Sequence, residues 1–149
     1  MHPESGVAYF VTFDILRCML HNTMKDKRRI LILEDDDMLG EMIEALLSIR
    51  NFEVYVLKDS SHMVEVVLKH AIQLILLDKV LQAEDGLEIC QFLKKNEATA
   101  HIPVMIMSGH HNIMTECFAA GADQFIAKPF DLKLFLERLE NMWASRTLQ

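Results

Sequence analysis

The sequence predicts an α/β fold in which a five-stranded parallel sheet is covered by helices on both faces. From Arg29 onward, short apolar runs alternate with amphipathic helical stretches. The runs at residues 30–33 and 74–77 are apolar throughout, which is typical of buried parallel strands. Acidic residues follow both runs directly. Repeated strand–helix units of this kind favour a parallel sheet with right-handed crossovers.

Each predicted element has its own signal in the chain. The five strands are expected at residues 30–33, 54–57, 74–77, 104–107 and 124–126. The helices are predicted from residues at helical spacing, all of them apolar except His70. In chain order, these residues are Met38, Leu39, Met42, Ile43, Leu46 and Leu47; Met63, Val66, Val67 and His70; Leu87, Cys90 and Leu93; Ile113, Met114, Cys117 and Phe118; and Leu132, Phe135, Leu136, Leu139, Met142 and Trp143. Gly121 is expected to end the fourth helix and Asp131 to cap the fifth.

The composition excludes several classes of protein. The chain has 149 residues, 51% of them apolar and 25% charged, which favours one globular domain over disorder. The net charge is −7, and the longest cationic run is residues 27–29, so duplex nucleic acid is a disfavoured partner. Cys18, Cys90 and Cys117 lack metal-site spacing and predict reduced thiols, with Cys90 and Cys117 in the core.

The first residues of the chain do not follow the strand–helix rhythm. We expect an N-terminal extension at residues 1–26, which is either ordered or disordered, then a domain at 27–145 and a tail at 146–149. The apolar stretch at residues 7–20 contains Asp14 and Arg17 and is too short to span a bilayer. No basic n-region of a secretory signal precedes it. A cytoplasmic protein without a membrane segment is therefore expected.

Polar side chains of different chemistry follow the strands near the centre of the predicted sheet. Glu34 and Asp35 follow the first strand, Asp78 the third, Ser108 the fourth and Lys128 the fifth. Because ligands of open α/β sheets bind at the carboxyl ends of the strands, we expect these side chains to form one site. Carboxylates that meet there repel one another unless a cation lies among them. Their oxygens predict Mg²⁺.

The same set of groups fits phosphoryl transfer. Asp78 is expected to be the nucleophile that forms an acyl phosphate. The Ser108 hydroxyl would donate to a phosphoryl oxygen, and the Lys128 ammonium would neutralise another. Such chemistry depends mainly on positioning and charge neutralisation, which these groups supply.

The motifs also occur in the order and spacing of one known family. They are residues 30–36, 76–78, 85–86, 103–109, 121–123 and 128–130. Over residues 27–145 the sequence resembles the receiver domain of bacterial two-component response regulators. The resemblance implies the flavodoxin-like (βα)5 three-layer sandwich, Mg²⁺ dependence, and phosphorylation at Asp78 by a histidine kinase or a histidine phosphotransfer protein.

The resemblance implies roles for individual residues. Glu34 and Asp35 match the acidic metal pair, and the backbone carbonyl of Val80 matches a further metal ligand beside Asp78. Lys128 matches the family's lysine, and the bond to the next residue, Pro129, is expected to be cis.

The resemblance also identifies a switch. Ser108 and Phe125 match the hydroxyl and aromatic positions that move together, so phosphorylation is expected to draw Ser108 toward the site and let Phe125 turn inward.

Val80 and His110 stand two residues after Asp78 and Ser108, respectively, where they would flank an attacking water. We expect them to tune the lifetime of the phosphorylated state, because His110 can orient water and Val80 can only exclude it.

Two residues depart from the family's usual pattern in the loop after Asp78. Gln82 stands where a proline is usual, and Lys79 stands where an apolar residue is usual. The loop at residues 79–84 is therefore predicted to be less rigid and more charged than is common in the family.

The sequence predicts a phospho-aspartate switch that signals through protein contacts. It would catalyse only its own phosphorylation and dephosphorylation, and the contact face would be the fourth helix, fifth strand and fifth helix. If the chain is complete, its output is contact with a downstream effector protein, as a monomer or a phosphorylation-dependent dimer. If it is an excised domain, the effector has been removed.

Three alternatives have discriminating features. An aspartyl phosphohydrolase usually carries a second acidic residue where Val80 stands, and it would turn over small phosphate esters. A flavin-binding flavodoxin needs a phosphate loop after the first strand, where the acidic residues 34–37 would repel a phosphate. A phosphate-independent interaction module would bind its partner equally well with and without phosphorylation.

Overall fold

The computed structural model describes residues 27–146, and the predicted N-terminal extension, with Cys18, lies outside them. Within this range, five parallel strands form one sheet in the order β2-β1-β3-β4-β5. The strands are β1 (Arg28–Leu33), β2 (Phe52–Leu57), β3 (Leu74–Asp78), β4 (Val104–Ser108) and β5 (Gln124–Ala127). The helices are α1 (Asp37–Ile49), α2 (Met63–Lys69), α3 (Gly86–Lys95), α4 (Met114–Ala119) and α5 (Leu132–Arg146). These elements confirm the predicted flavodoxin-like α/β fold.

The sheet separates two apolar layers, because successive side chains of a strand point to opposite faces. Leu31, Leu33 and Leu77 pack with residues of α2, α3 and α4 on one face. Ile30 and Ile32 pack with residues of α1 and α5 on the other. β3 and β4 are buried along their whole length. The central strands are therefore fixed from both sides, which also fixes the residues at their ends.

Capping residues set the ends of three helices. The Asp36 carboxylate accepts a hydrogen bond of 2.9 Å from the Leu39 N–H and starts α1. Asp131 accepts one from the Leu134 N–H, also at 2.9 Å, and caps α5 as predicted. Gly121 has φ +96°, and it follows α4 in a Schellman motif that confirms its role as the end of that helix.

Some details of the predicted helices differ in the structure. Met38 is 81% exposed and Met42 is exposed as well, because α1 turns Gly40, Ile43 and Leu47 toward the sheet instead. The helical spacing of the two methionines was therefore misleading. α5 continues to Arg146, one residue beyond the predicted end of the domain.

The two cysteines of the described range are buried, as predicted. Burial raises the pKa of the Cys90 thiol to about 11, and burial also raises the pKa of Cys117. Neither thiol is available as a thiolate near neutral pH, which fits a role in core packing.

An additional element that the sequence did not predict lies between β3 and α3. Residues Val80–Leu81 pair in antiparallel fashion with Glu84–Asp85. Gln82 and Ala83 form the turn, and Gln82 has φ +47°. Residues 79–85, named the site hairpin below, thus have regular backbone pairing that the sequence analysis did not include. Their rigidity relative to other members of the family stays a prediction.

Candidate functional site

Three carboxylates meet where β1 and β3 end. Glu34 and Asp35 follow Leu33, which pairs with Leu77 of β3, so Asp78 lies beside them. One carboxylate oxygen from each of the three residues lies within 4.8 Å of the others. Glu34 and Asp78 are buried and Asp35 is half-buried. The sequence prediction that these residues form one cluster agrees with this geometry.

Lys128 lies against the cluster from the end of β5. Its ammonium donates to Glu34 Oε2 and to Asp78 Oδ2, both at 2.8 Å. Burial alone would lower the pKa of Lys128, but these hydrogen bonds raise it above its ordinary value, so the side chain is charged at neutral pH. The adjoining Lys128–Pro129 bond is cis, as expected.

The charges of the cluster are not balanced by Lys128. Burial raises the pKa of Glu34, and the neighbouring Asp78 carboxylate adds to this effect. Hydrogen bonds from Lys128 and from the Asp36 N–H oppose it. Three carboxylates face one ammonium, so a partly buried excess of negative charge remains when all three are ionised.

These residues fit a hard divalent cation. The donor set consists of carboxylate oxygens, which is the chemistry that Mg²⁺ prefers, and a cation would relieve the repulsion among them. Glu34, Asp35 and Asp78 would hold it. The Val80 N–H donates to Asp78 Oδ1 at 3.1 Å, which keeps the start of the site hairpin beside the cluster.

Ser108 and Phe125 lie on the neighbouring strands. Ser108 ends β4, is buried, and its Oγ accepts a hydrogen bond of 3.0 Å from the His110 N–H. Phe125 pairs with Ile106 in the sheet and is only 6% exposed. Its backbone carbonyl accepts a hydrogen bond from Arg138 of α5. Phe125 is therefore a buried residue, and its backbone is held by α5.

Val80 and His110 border the site from the solvent side. Val80 is 49% exposed, and His110 is exposed as well. Val80 is tied to Asp78 through its N–H, and His110 to Ser108 through its own. Both residues thus stand at the mouth of the site, and their predicted influence on water stays a prediction.

Sequence reasoning missed the contacts of the site hairpin. Lys79 Nζ lies 2.9 Å from Asp85 Oδ1, and the Gln82 N–H donates to Asp35 Oδ2 at 3.0 Å. Proline locks φ near −65° and has no N–H, so it could adopt neither the φ of +47° nor this hydrogen bond. The departure from the family pattern at Gln82 was a usable signal of a different loop conformation.

Position 86, in the motif at residues 85–86, has room only for glycine. A Cβ atom at this position would lie 2.3 Å from the Asp78 carbonyl oxygen and 2.9 Å from the Lys79 Cα. Both contacts are with backbone, so neither neighbour can turn away. The absence of a side chain here lets the first turn of α3 pack directly against the residue that bears the central carboxylate.

In residues 27–146, no helix is both long and apolar enough to span a bilayer. The sequence pattern of the family described as "Response regulator receiver domain" matches residues 30–140. The chain is 40% identical over 106 residues to the transcriptional activator protein PfeR of Pseudomonas aeruginosa, a match that covers 70% of this chain and 34% of that protein. It is 34% identical over 116 residues to the response regulator ArlR of Staphylococcus saprophyticus, covering 76% of this chain and 51% of that protein.

Two solved structures have a fold similar to that of this chain. The receiver domain of Klebsiella pneumoniae RstA superposes with a TM-score of 0.70 at 25% identity, covering 76% of this chain and 97% of that one. NtrX from Brucella abortus superposes with a TM-score of 0.74 at 27% identity, covering 82% of this chain and 28% of that one. The chain spans about a third of the length of PfeR and about half of the length of ArlR. Matched in sequence pattern, fold and relatives, it belongs to the family of response regulator receiver domains.

Proposed function

We propose that the chain is a phospho-aspartate switch in which Asp78 accepts a phosphoryl group from a histidine kinase or a histidine phosphotransfer protein. The observation that carries this proposal is the position of Asp78. Its carboxylate is held by Lys128 on one oxygen and by the Val80 N–H on the other, within the cluster formed with Glu34 and Asp35.

In the proposed reaction, a carboxylate oxygen of Asp78 attacks the phosphorus of a phosphohistidine. The P–N bond breaks, the imidazole leaves with its electron pair and takes up a proton, and an acyl phosphate remains. A bound Mg²⁺ would neutralise charge on the phosphoryl oxygens. Lys128 would neutralise charge on another of these oxygens, and the Ser108 hydroxyl would donate a hydrogen bond to the phosphoryl group once it has formed.

The output would be carried by the face made of α4, β5 and α5. Its two helices carry large apolar side chains that are about half-exposed, namely Met114 and Phe118 in α4 and Leu132 and Leu134 in α5. β5 connects it to the site, because Ser108 pairs with Ala127 and Lys128 follows that strand. Movement of Ser108 and Phe125 would thereby change the surface offered to a downstream effector protein, either as a monomer or in a phosphorylation-dependent dimer.

The wider assignment is proposed on the same basis. Residues 27–145 would form the receiver domain, located in the cytoplasm and acting on no substrate besides its own phosphoryl group. Direct binding of nucleic acid by this domain is not proposed, since the net charge is −7.

The proposal is tested with a small acyl or amido phosphate and Mg²⁺, followed by intact-mass analysis and peptide mapping. We expect one added phosphoryl group, located on Asp78. Asp78→Asn should abolish it, whereas Asp36→Asn, which removes an acidic side chain that only caps α1, should leave it intact. Modification of the Asp78→Asn protein at the wild-type level would refute the assignment. Turnover of p-nitrophenyl phosphate would favour the phosphohydrolase alternative.

A further inference from the structure

We infer that Glu84 is a positioning residue of the metal site, which it serves from outside the cluster by fixing the site hairpin over Asp35. This inference rests on the proposed function, because it concerns the cation that phosphorylation of Asp78 would need. Three contacts carry it, and they connect the loop after β2, the hairpin and the end of β1.

The first contact joins Glu84 to Ser60 in the loop between β2 and α2. The Ser60 N–H donates to Glu84 Oε2 at 2.9 Å, and the Ser60 hydroxyl donates to the other carboxylate oxygen. The Ser60 carbonyl in turn accepts from the Met63 N–H at the start of α2. Both oxygens of a half-buried carboxylate are thus attached to a loop that is anchored on a helix.

The second contact is the pairing of Glu84 with Leu81 across the turn of the hairpin. Glu84 pairs with Leu81, whose side chain is fully buried, and only Gln82 and Ala83 lie between them. A two-residue turn leaves little freedom in the backbone, so the position of Glu84 determines the position of Gln82. The exposed tip of the hairpin is therefore fixed through Glu84 on one side and through Leu81 on the other.

The third contact reaches the metal site. The Gln82 N–H donates to Asp35 Oδ2 at 3.0 Å across 47 positions of the sequence. Asp35 is the least buried carboxylate of the cluster, so this bond restricts a side chain that would otherwise rotate. A carboxylate held by a group behind it is ready to bind a cation without further ordering.

The test compares Mg²⁺ binding by isothermal titration calorimetry, without any phosphoryl donor, in wild type, Glu84→Ala and Glu84→Gln. Glu84→Ala should weaken Mg²⁺ binding by about tenfold, the lower range for loss of a group that orients a metal ligand. Glu84→Gln should lose less, because the amide keeps one oxygen that can accept from Ser60. The matched control is Glu88→Ala, which removes the same charge from an exposed position on α3.

A second measurement separates positioning from a general effect on charge or folding. Hydrogen exchange of the Gln82 amide, followed by NMR without Mg²⁺, should be faster in Glu84→Ala than in the control. The two effects should appear together, and Ser60→Ala should shift both in the same direction. Mg²⁺ affinity equal to that of Glu88→Ala would overturn the inference. So would weaker binding with unchanged exchange at Gln82.

Failure of this inference is distinct from failure of the proposed function. At saturating Mg²⁺, wild type and the Glu84 variants should all accept a phosphoryl group on Asp78. A wild-type protein that binds Mg²⁺ but is not phosphorylated would refute the proposed function and leave the role of Glu84 standing. Normal phosphorylation, together with Mg²⁺ affinities that are identical in wild type and the Glu84 variants, would refute the role of Glu84 and leave the proposed function standing.

Discussion

At the scale of single residues, the backbone N–H of Gln82 shows how one position can alter a loop. A left-handed φ costs an L-residue roughly 1–2 kcal/mol, and here the turn is held by pairing on both sides and by the bond to Asp35. The side chain of Gln82 is exposed, so its backbone is the part that matters. The usual proline of the family would be incompatible with this conformation.

We expect Gln82→Pro to destabilise the protein by more than about 1 kcal/mol, because the required φ and the N–H are both lost. Chemical denaturation without Mg²⁺ measures this. Gln82→Gly is the control, since glycine keeps the N–H and adopts a positive φ freely. A proline variant as stable as wild type would show that the loop readily adopts another conformation.

A second prediction at this scale concerns the lifetime of the phosphorylated state. Val80→Asn should speed loss of the phosphoryl group, because an amide can orient a water that valine only excludes. His110→Ala should change the rate, because the imidazole can donate a hydrogen bond to a water or accept one from it, and alanine can do neither. Decay followed by mass spectrometry tests both. Identical decay of wild type and His110→Ala would mean that His110 only faces solvent.

At the scale of elements, the end of α4 depends on Gly121. Its φ of +96° closes the Schellman motif, in which the N–H groups of Gly121 and Ala122 bond to Phe118 and Cys117. A Cβ here would also lie 2.8 Å from the Lys94 Cγ on α3. The same residue therefore ends one helix and allows the close approach of another.

Gly121→Ala should cost roughly 1–2 kcal/mol of stability, the penalty of a side chain in the left-handed region. Gly109→Ala is the matched control, because a Cβ at Gly109 would meet nothing within 4 Å. Thermal and chemical unfolding of both variants measure the difference. Equal stabilities would mean that the α4 end rearranges without cost.

The strands could be predicted from the sequence, whereas the site hairpin could not. The strands were predictable because β1, β3 and β4 are apolar runs fixed by burial on both faces. The carboxylate cluster followed from strand order alone. The site hairpin was not predictable, because it consists of two short pairs stabilised by contacts with distant residues such as Ser60 and Asp35. The exposed Met38 shows that helical spacing cannot by itself identify the buried face.

At the scale of the whole molecule, the site stores electrostatic repulsion that the rest of the fold must offset. Glu34, Asp35 and Asp78 converge at the sheet edge, and Lys128 is their one cationic hydrogen-bond partner in the part of the chain that the structure describes. Burial raises the pKa of Glu34, and the neighbouring Asp78 carboxylate adds to this effect. Stability and function are therefore opposed in this region.

Asp35→Asn should raise the midpoint of thermal unfolding without Mg²⁺, because one charge is removed while the side-chain oxygen can still accept from Gln82. Addition of Mg²⁺ should stabilise wild type by mass action and stabilise the variant much less. Differential scanning calorimetry with and without Mg²⁺ measures both effects. A lower metal-free midpoint in the variant would instead assign Asp35 a structural role.

The contact between Gly86 and Asp78 has a consequence for mutational tolerance. Replacing a helical glycine with alanine commonly stabilises a protein, so helix propensity alone would favour alanine at the first residue of α3. Here the added methyl group would press on the Asp78 carbonyl and the Lys79 Cα, and the helix and strand would have to separate. In a saturation mutagenesis library, Gly86 should therefore be among the least tolerant positions of α3, and stabilised variants should retain glycine there.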